Sequence, residues 1–173
     1  AINTQCIYGK SKLKGEQAIK TSGAKYIIIR TAWVFSEYGN NFLKTMLQLG
    51  KKNNLDIVDD QIGSPTYAQD IARTIAEIIS KKNFNQISSG IYHYCGNSSC
   101  SWHDFAMVIF KEAKVKNLSV PNLVHSVKTR DYPTLAKRPA FSILDCKKIK
   151  QDFNIDQSDW RSGVAKAINK IQT

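Results

Sequence analysis

The chain has 173 residues, enough for one sizeable core, and 42% hydrophobic with 23% charged residues is a globular balance that excludes disordered and fibrous classes. Its formal net charge of +11 comes from scattered Lys and Arg in short pairs, Lys51-Lys52, Lys81-Lys82 and Lys147-Lys148, placed where helices are expected to end. That distribution argues against a nucleic-acid partner and for steering of anionic small molecules. No apolar run approaches the ~18 residues needed to cross a bilayer, and the first residues lack the pattern of a signal peptide, so nothing targets a membrane.

In chain order, Leu13 and Ile19 with the closing Thr-Ser-Gly23 predict a helix over about residues 8 to 22, stopped by a left-handed Gly23. Lys25 to Phe35 follows, and its three consecutive isoleucines predict a strand buried on both faces, as in a parallel sheet covered by helices. A helix feeding such a strand reads as the second half of an α/β unit whose first half is not in this chain. Asn41 is placed to cap a helix over about residues 41 to 52, and Leu55 to Asp59 is a short strand. Asp60-Gln-Ile-Gly-Ser-Pro-Thr66 is a turn-rich loop, after which Ala68, Ile71, Ala72, Ile75, Ile78 and Ile79 trace an apolar stripe expected to pack in the core.

Gly90 to Cys95 reads as a strand and Ser101, with Asp104 three residues on, as a helix cap. A short strand near Leu123 to Val127 leads into an irregular loop through Arg130 and Tyr132 to Arg138-Pro139, of a length often used for binding. Asp145 and Asp159 are placed to cap two final helices, the second carrying Trp160, Val164, Ile168 and Ile171.

The stretch around which the chemistry is organised is Tyr8-Gly-Lys-Ser-Lys12. On a helix Tyr8 and Lys12 share one face. A free phenol titrates near ~10, and an ammonium within a few ångströms favours its ionised form, which suits a phenol for acid catalysis at neutral pH. The alternative is a solvated i,i+4 pair, one that composition alone produces about once in a chain this rich in tyrosine and lysine. Cys6, Cys95, Cys100 and Cys146 show no Cys-x-x-Cys spacing and read as reduced thiols of a cytoplasmic protein. His93, Cys95, Cys100 and His103 fall within eleven residues, but their spacing matches no common zinc module, and no metal site is expected from them.

Taken together, Tyr8-Gly-Lys-Ser-Lys-Leu-Lys-Gly-Glu16, Arg30-Thr-Ala-Trp-Val-Phe35, Gly39-Asn-Asn-Phe42, Asp60 to Thr66, Tyr92-His-Tyr-Cys-Gly96 and Arg138-Pro139 resemble, in order and spacing, dTDP-4-dehydrorhamnose reductase of the extended short-chain dehydrogenase/reductases. The resemblance runs the length of the chain. It implies an α/β fold: a partial Rossmann-like parallel sheet, with residues 1–60 the C-terminal part of the dinucleotide-binding domain, and 61–173 mainly a smaller substrate-binding region with elements returning to the first domain.

The implied reaction reduces the C4 ketone of dTDP-4-dehydro-L-rhamnose with NADPH, NADH and a role for Mg²⁺ being left open. Tyr8 would donate the proton. Lys12 would tune it and hold the nicotinamide ribose, with Thr31 beside the cofactor. Trp33 would meet the sugar, its alternative being an aromatic at a strand end. Arg138 would meet the nucleotide or stabilise its loop. The Gly-x-x-Gly-x-x-Gly turn of such reductases and the Ser or Thr of their triad do not occur here. The expected partners are therefore the dTDP-sugar and the missing N-terminal half, with a homodimer open. A non-catalytic, sugar-nucleotide-binding or regulatory subunit is the rival reading.

Overall fold

The computed structural model describes residues 7–81, 89–132 and 138–172, and the architecture is α/β. Two parallel strand pairs set the frame. β1 (Ile27–Arg30) pairs with β6 (Gly90–His93), Ile27 opposite Gly90 and Arg30 opposite His93. β3 (Asn54–Val58) pairs with β8 (Leu123–Val127), Asn54 opposite Leu123. Parallel partners need crossovers, and helices supply them: α2 (Phe42–Leu49) leads into β3, α3 (Ala68–Ser80) precedes β6, and α4 (Trp102–Val115) precedes β8. Four short strands tie the loops together. β2 (Val34–Phe35) lies parallel to β5 (Thr66–Tyr67), and β4 (Ile62–Gly63) antiparallel to β7 (Cys100–Ser101). Helix α1 (Ile7–Thr21) opens the described chain, and α5 (Lys147–Phe153) and α6 (Trp160–Gln172) close it.

Polar residues at the element ends stop and start the helices as their chemistry requires. Asn41 accepts from the Lys44 N–H, Ser101 and Asp104 form a reciprocal capping box on α4, and Gly23 takes φ +74° after α1. Asp145 accepts from the Lys147 N–H, and Asp159 from those of Arg161 and Ser162. The larger core gathers Phe35, Leu43 and Met46 with Phe105 and Ile109 of α4 and Trp160, Val164 and Ile168 of α6. A smaller one holds Tyr92, Tyr94, Cys95, Cys146, Ile149 and Phe153. The larger core thus draws on residues from both sides of position 60.

Four expectations are corrected. The strand expected over 25–35 is two strands, because Trp33 adopts φ +48°, a conformation no ladder accommodates. β1 is half-buried throughout rather than buried on both faces: among the described residues it pairs along one edge only. On α3 the face turned inward carries Asp70, Thr74 and Ile78, while Ile75 and Ile79 are exposed. β5 runs straight into α3, and Thr66 is bonded to the carbonyls of Ala32 and Trp33, which sets the roll of the helix; Arg73 then satisfies the buried Asp70 at 2.7 Å. Finally, Lys147 and Lys148 begin α5 instead of ending a helix, where Lys148 pairs with Asp152 one turn on. Lys82 and Cys6 lie outside the described residues.

Candidate active site

Helix α1 has no buried residue, and an ion pair ties it to β1: Arg30 Nε and Nη2 donate to the two carboxylate oxygens of Glu16 at 2.7 and 2.6 Å. Arg30 ends β1, so this fork pins the middle of the helix to the carboxyl end of the strand. The chain turns back between α1 and β1, and Lys12 and Tyr8 stand about one and two turns before Glu16, roughly 6 and 12 Å along the helix axis from it. Open α/β sheets place their ligands outside the carboxyl ends of their strands. Lys12 Nζ sits 5.3 Å from the centre of the Tyr8 ring, and Tyr8 is 70% exposed. Thr31, directly after β1, is exposed at the same end.

The Arg30 hydrogen bond holds the Glu16 carboxyl below its ordinary 4.5, against partial desolvation. A lowered carboxylate pKa contributes stability that is full above the ordinary value and lost as pH falls through the lowered one. Arg30→Leu is accordingly expected to cost about 1–2 kcal/mol, concentrated on α1. Amide exchange at pH 7 should speed up about tenfold along α1 and stay unchanged in α4, and wild-type α1 should loosen in the same way only below pH 4.5. Unchanged protection of α1 in the variant would show that something else holds the helix.

A cleft of about 460 Å³ lies between α2, β3 and the start of α4, with Phe42, Trp102 and Arg138 in its lining. Trp33 and Trp102 stack with ring centres 3.6 Å apart and planes 10° from parallel. Phe42 leans on Trp102 at 4.6 Å, and the Arg138 guanidinium lies 5.9 Å over the Trp102 ring at the cleft mouth. Trp33 reaches this position through its left-handed backbone, which costs a bulky residue about 1–3 kcal/mol. Gly63 makes room for it: a Cβ there would fall 2.4 Å from Trp33 Cε2. Trp33, a strained aromatic held by a stack on one side and a glycine on the other, thus fixes the Trp102 ring that lines the cleft.

The floor of the cleft is apolar, from Met46, Leu49, Leu55 and Ile57, with Gln61 and Tyr132 at its edge. Gln61 donates to the Thr129 hydroxyl, and Asp60 accepts from the Thr129 N–H at 3.0 Å. Asp59 pairs with Lys128 at 2.8 Å. These bonds anchor the segment leading to Tyr132, and the bonds from Thr129 and Lys128 hold both aspartates below their ordinary 3.8. Lys52 and Arg138 add positive charge to the rim beside the single Asp56.

The five residues picked out by sequence fall in two groups: Tyr8, Lys12 and Thr31 on α1 and just after β1, and Arg138 in the cleft lining with Trp33 stacked on Trp102. Trp102 and Glu16 escaped the sequence reading. Trp102 directly follows the recognisable cap Ser101, and Glu16 continues the face of Tyr8 and Lys12 by one more turn, so both carried a positional signal. Among the described residues no cluster of three or more His, Cys, Asp or Glu has the arrangement of a metal site, and no helix is long and apolar enough to cross a membrane.

A family model described as the RmlD substrate binding domain matches residues 2–173. A dTDP-4-dehydrorhamnose reductase of Aggregatibacter actinomycetemcomitans is 51% identical over 92% of this chain and 55% of its own length. The crystal structure of a dTDP-4-dehydrorhamnose reductase from Clostridium acetobutylicum superposes with TM-score 0.87 at 36% identity, over 100% of this chain and 58% of that one. A second, from Bacillus anthracis in complex with NADP, gives 0.83 at 36% identity, over 97% and 56%. The chain spans about 55% of the length of the curated relatives it matches. With its fold, its tryptophan-walled cleft and a match across nearly every residue, this chain belongs to the RmlD substrate binding domain family.

Proposed function

We propose that this chain is the sugar-nucleotide-binding part of an NADPH-dependent reductase that converts dTDP-4-dehydro-L-rhamnose to dTDP-L-rhamnose, working with a preceding cofactor-binding half. The observation that carries the reading is the cleft wall, in which Trp102 lies under Arg138 and is stacked on Trp33, itself held in a strained backbone. An indole face offers apolar contact to a deoxyhexose, and a guanidinium at the mouth offers paired donors to a diphosphate. The apolar floor suits a pyrimidine ring.

The exposed phenol and ammonium of α1 fit the reacting end of the same substrate. NADPH, when bound, supplies the hydride that adds to C4. The Tyr8 hydroxyl donates its proton to the ketone oxygen as negative charge develops there, and the Lys12 ammonium stabilises the phenolate left behind. The same ammonium and the Thr31 hydroxyl are placed to hold the ribose hydroxyls of the nicotinamide. Residues 1–60 on this reading bring the reacting groups and the cleft wall from α2 and β3, and 61–173 bring Gln61, Trp102, Tyr132 and Arg138.

Titration of dTDP-L-rhamnose into the purified chain, followed by tryptophan emission, tests the cleft directly. Saturable quenching is expected, displaced by dTDP, and Arg138→Ala is expected to weaken it about tenfold, the scale of one charge-assisted contact. Quenching by UDP-sugars and dTDP-sugars alike, unaffected by Arg138→Ala, would place the ligand elsewhere.

A further inference from the structure

Cys95 and Cys146 belong to different elements, one just beyond β6 and the other at the start of α5, and their sulfurs are 3.6 Å apart. Packing of Tyr92 against Phe153 and Ile149 in the smaller core brings the two elements together. Both thiols are free and buried. A disulfide has its sulfurs about 2.05 Å apart, so closure needs a movement of roughly 1.5 Å, within the reach of side-chain rotation. Cys146 also lines a cavity of about 330 Å³ beside Lys150, Gln151 and Gln157, which gives a small molecule a way to the pair.

The surroundings ready the pair for ionisation. The Cys146 thiol bonds to Cys95 and, with help from Ser64, the Leu144 backbone and Gln157, brings Cys95 down to about 7 against the effect of burial. Gln157 Nε2 reaches Cys95 Sγ at 3.5 Å and also donates to the Cys95 and Gly96 carbonyls. Cys146 is correspondingly raised, so the pair gives up one proton and shares the other. Cys100, with Asp104 beside it, is pushed up to about 12 by burial and then by that carboxylate. It serves as the internal control.

We propose that Cys95 and Cys146 are a reversible dithiol–disulfide site, oxidised by a hydroperoxide that enters through the cavity beside Cys146. The shared proton moves to Cys95, and the Cys146 thiolate attacks one peroxide oxygen. An S–O bond forms, the O–O bond breaks, and hydroxide leaves to be protonated to water. The Cys95 sulfur then attacks the Cys146 sulfenic acid, an S–S bond forms, the S–O bond breaks, and the departing hydroxide takes the Cys95 proton as a second water. Two thiols lose two electrons and two protons, and the peroxide accepts both. The bond joins the end of β6 to α5 and is independent of how the cleft is read.

The test treats the native full chain with hydrogen peroxide, blocks remaining thiols under denaturing conditions, and maps the products by mass spectrometry. Expected are a mass lower by two hydrogens, loss of two blockable thiols, and one linked peptide pair, Cys95 with Cys146, reversed by dithiothreitol. Cys100→Ser should keep the link, and Cys146→Ser should divert Cys95 to no other partner. Oxygen addition at either sulfur without the link, a link through Cys6 or Cys100, or no reaction would each overturn the assignment. The wild-type map decides the matter even where a variant fails to fold.

Discussion

Tyr8→Phe, made in this segment joined to the preceding half of the 51%-identical Aggregatibacter relative, is expected to lower kcat by about 10²-fold or more while dTDP-sugar affinity stays nearly unchanged. The hydroxyl is the proton donor on the proposed reading, and a donor acts mainly in the transition state, when charge appears on the ketone oxygen. Its removal takes away that interaction and leaves the cleft alone. Trp33→Ala should behave in the opposite way. The indole contacts ground state and transition state alike, so its loss should appear largely in KM. Steady-state rates with NADPH, together with titration of dTDP-L-rhamnose, separate the two patterns. Equal damage to affinity and to kcat in Tyr8→Phe would make Tyr8 structural, and a non-catalytic binding subunit would then be the better account.

Gly96→Ala is expected to be the most damaging methyl in the described chain. A Cβ on Gly96 would lie 2.2 Å from the Pro65 carbonyl oxygen and 2.9 Å from Trp160 Cβ, so backbone and the centre of the larger core must both give way. The expected cost is about 3 kcal/mol, a fall of roughly 6–12 °C in Tm. Gly15→Ala makes the informative contrast. That residue sits inside α1 with nothing within 4 Å of the added Cβ, and alanine is the better helix former by about 1 kcal/mol. Thermal unfolding should therefore show Gly15→Ala neutral or slightly stabilising. Equal loss from both substitutions would mean that the close approach at Gly96 is not what that glycine is for.

Much of this was legible in the chain because local chemistry fixes it. The caps at Asn41 and Ser101 and the left-handed Gly23 stand where short polar side chains and a missing Cβ leave little choice. The Tyr8–Lys12 face follows from helical spacing alone, and Lys12 does lie over the Tyr8 ring. What local pattern cannot supply is the setting of one element against another. The isoleucines of α3 make a convincing stripe, yet β5 and the bonds of Thr66 turn the helix so that Ile75 and Ile79 face outward. Trp33 reads as the end of a strand, and only its partners, Trp102 from a distant helix and the bare Gly63, explain its left-handed backbone. The pairing of Glu16 with Arg30 likewise depends on how α1 folds back along β1. How α2 and β3 come to share a core with α4 and α6, across position 60, is also set by packing rather than by local pattern.

The most direct test of the central claim is turnover of dTDP-4-dehydro-L-rhamnose with NADPH by two proteins side by side: this chain alone, and this chain joined to the preceding half of its Aggregatibacter relative. The account predicts no turnover from the chain alone, which would lack the site for the cofactor's pyrophosphate, and formation of dTDP-L-rhamnose by the joined protein. A joined protein that folds and binds both NADPH and the dTDP-sugar, yet leaves the ketone unreduced, would contradict it, as would reduction by the isolated chain.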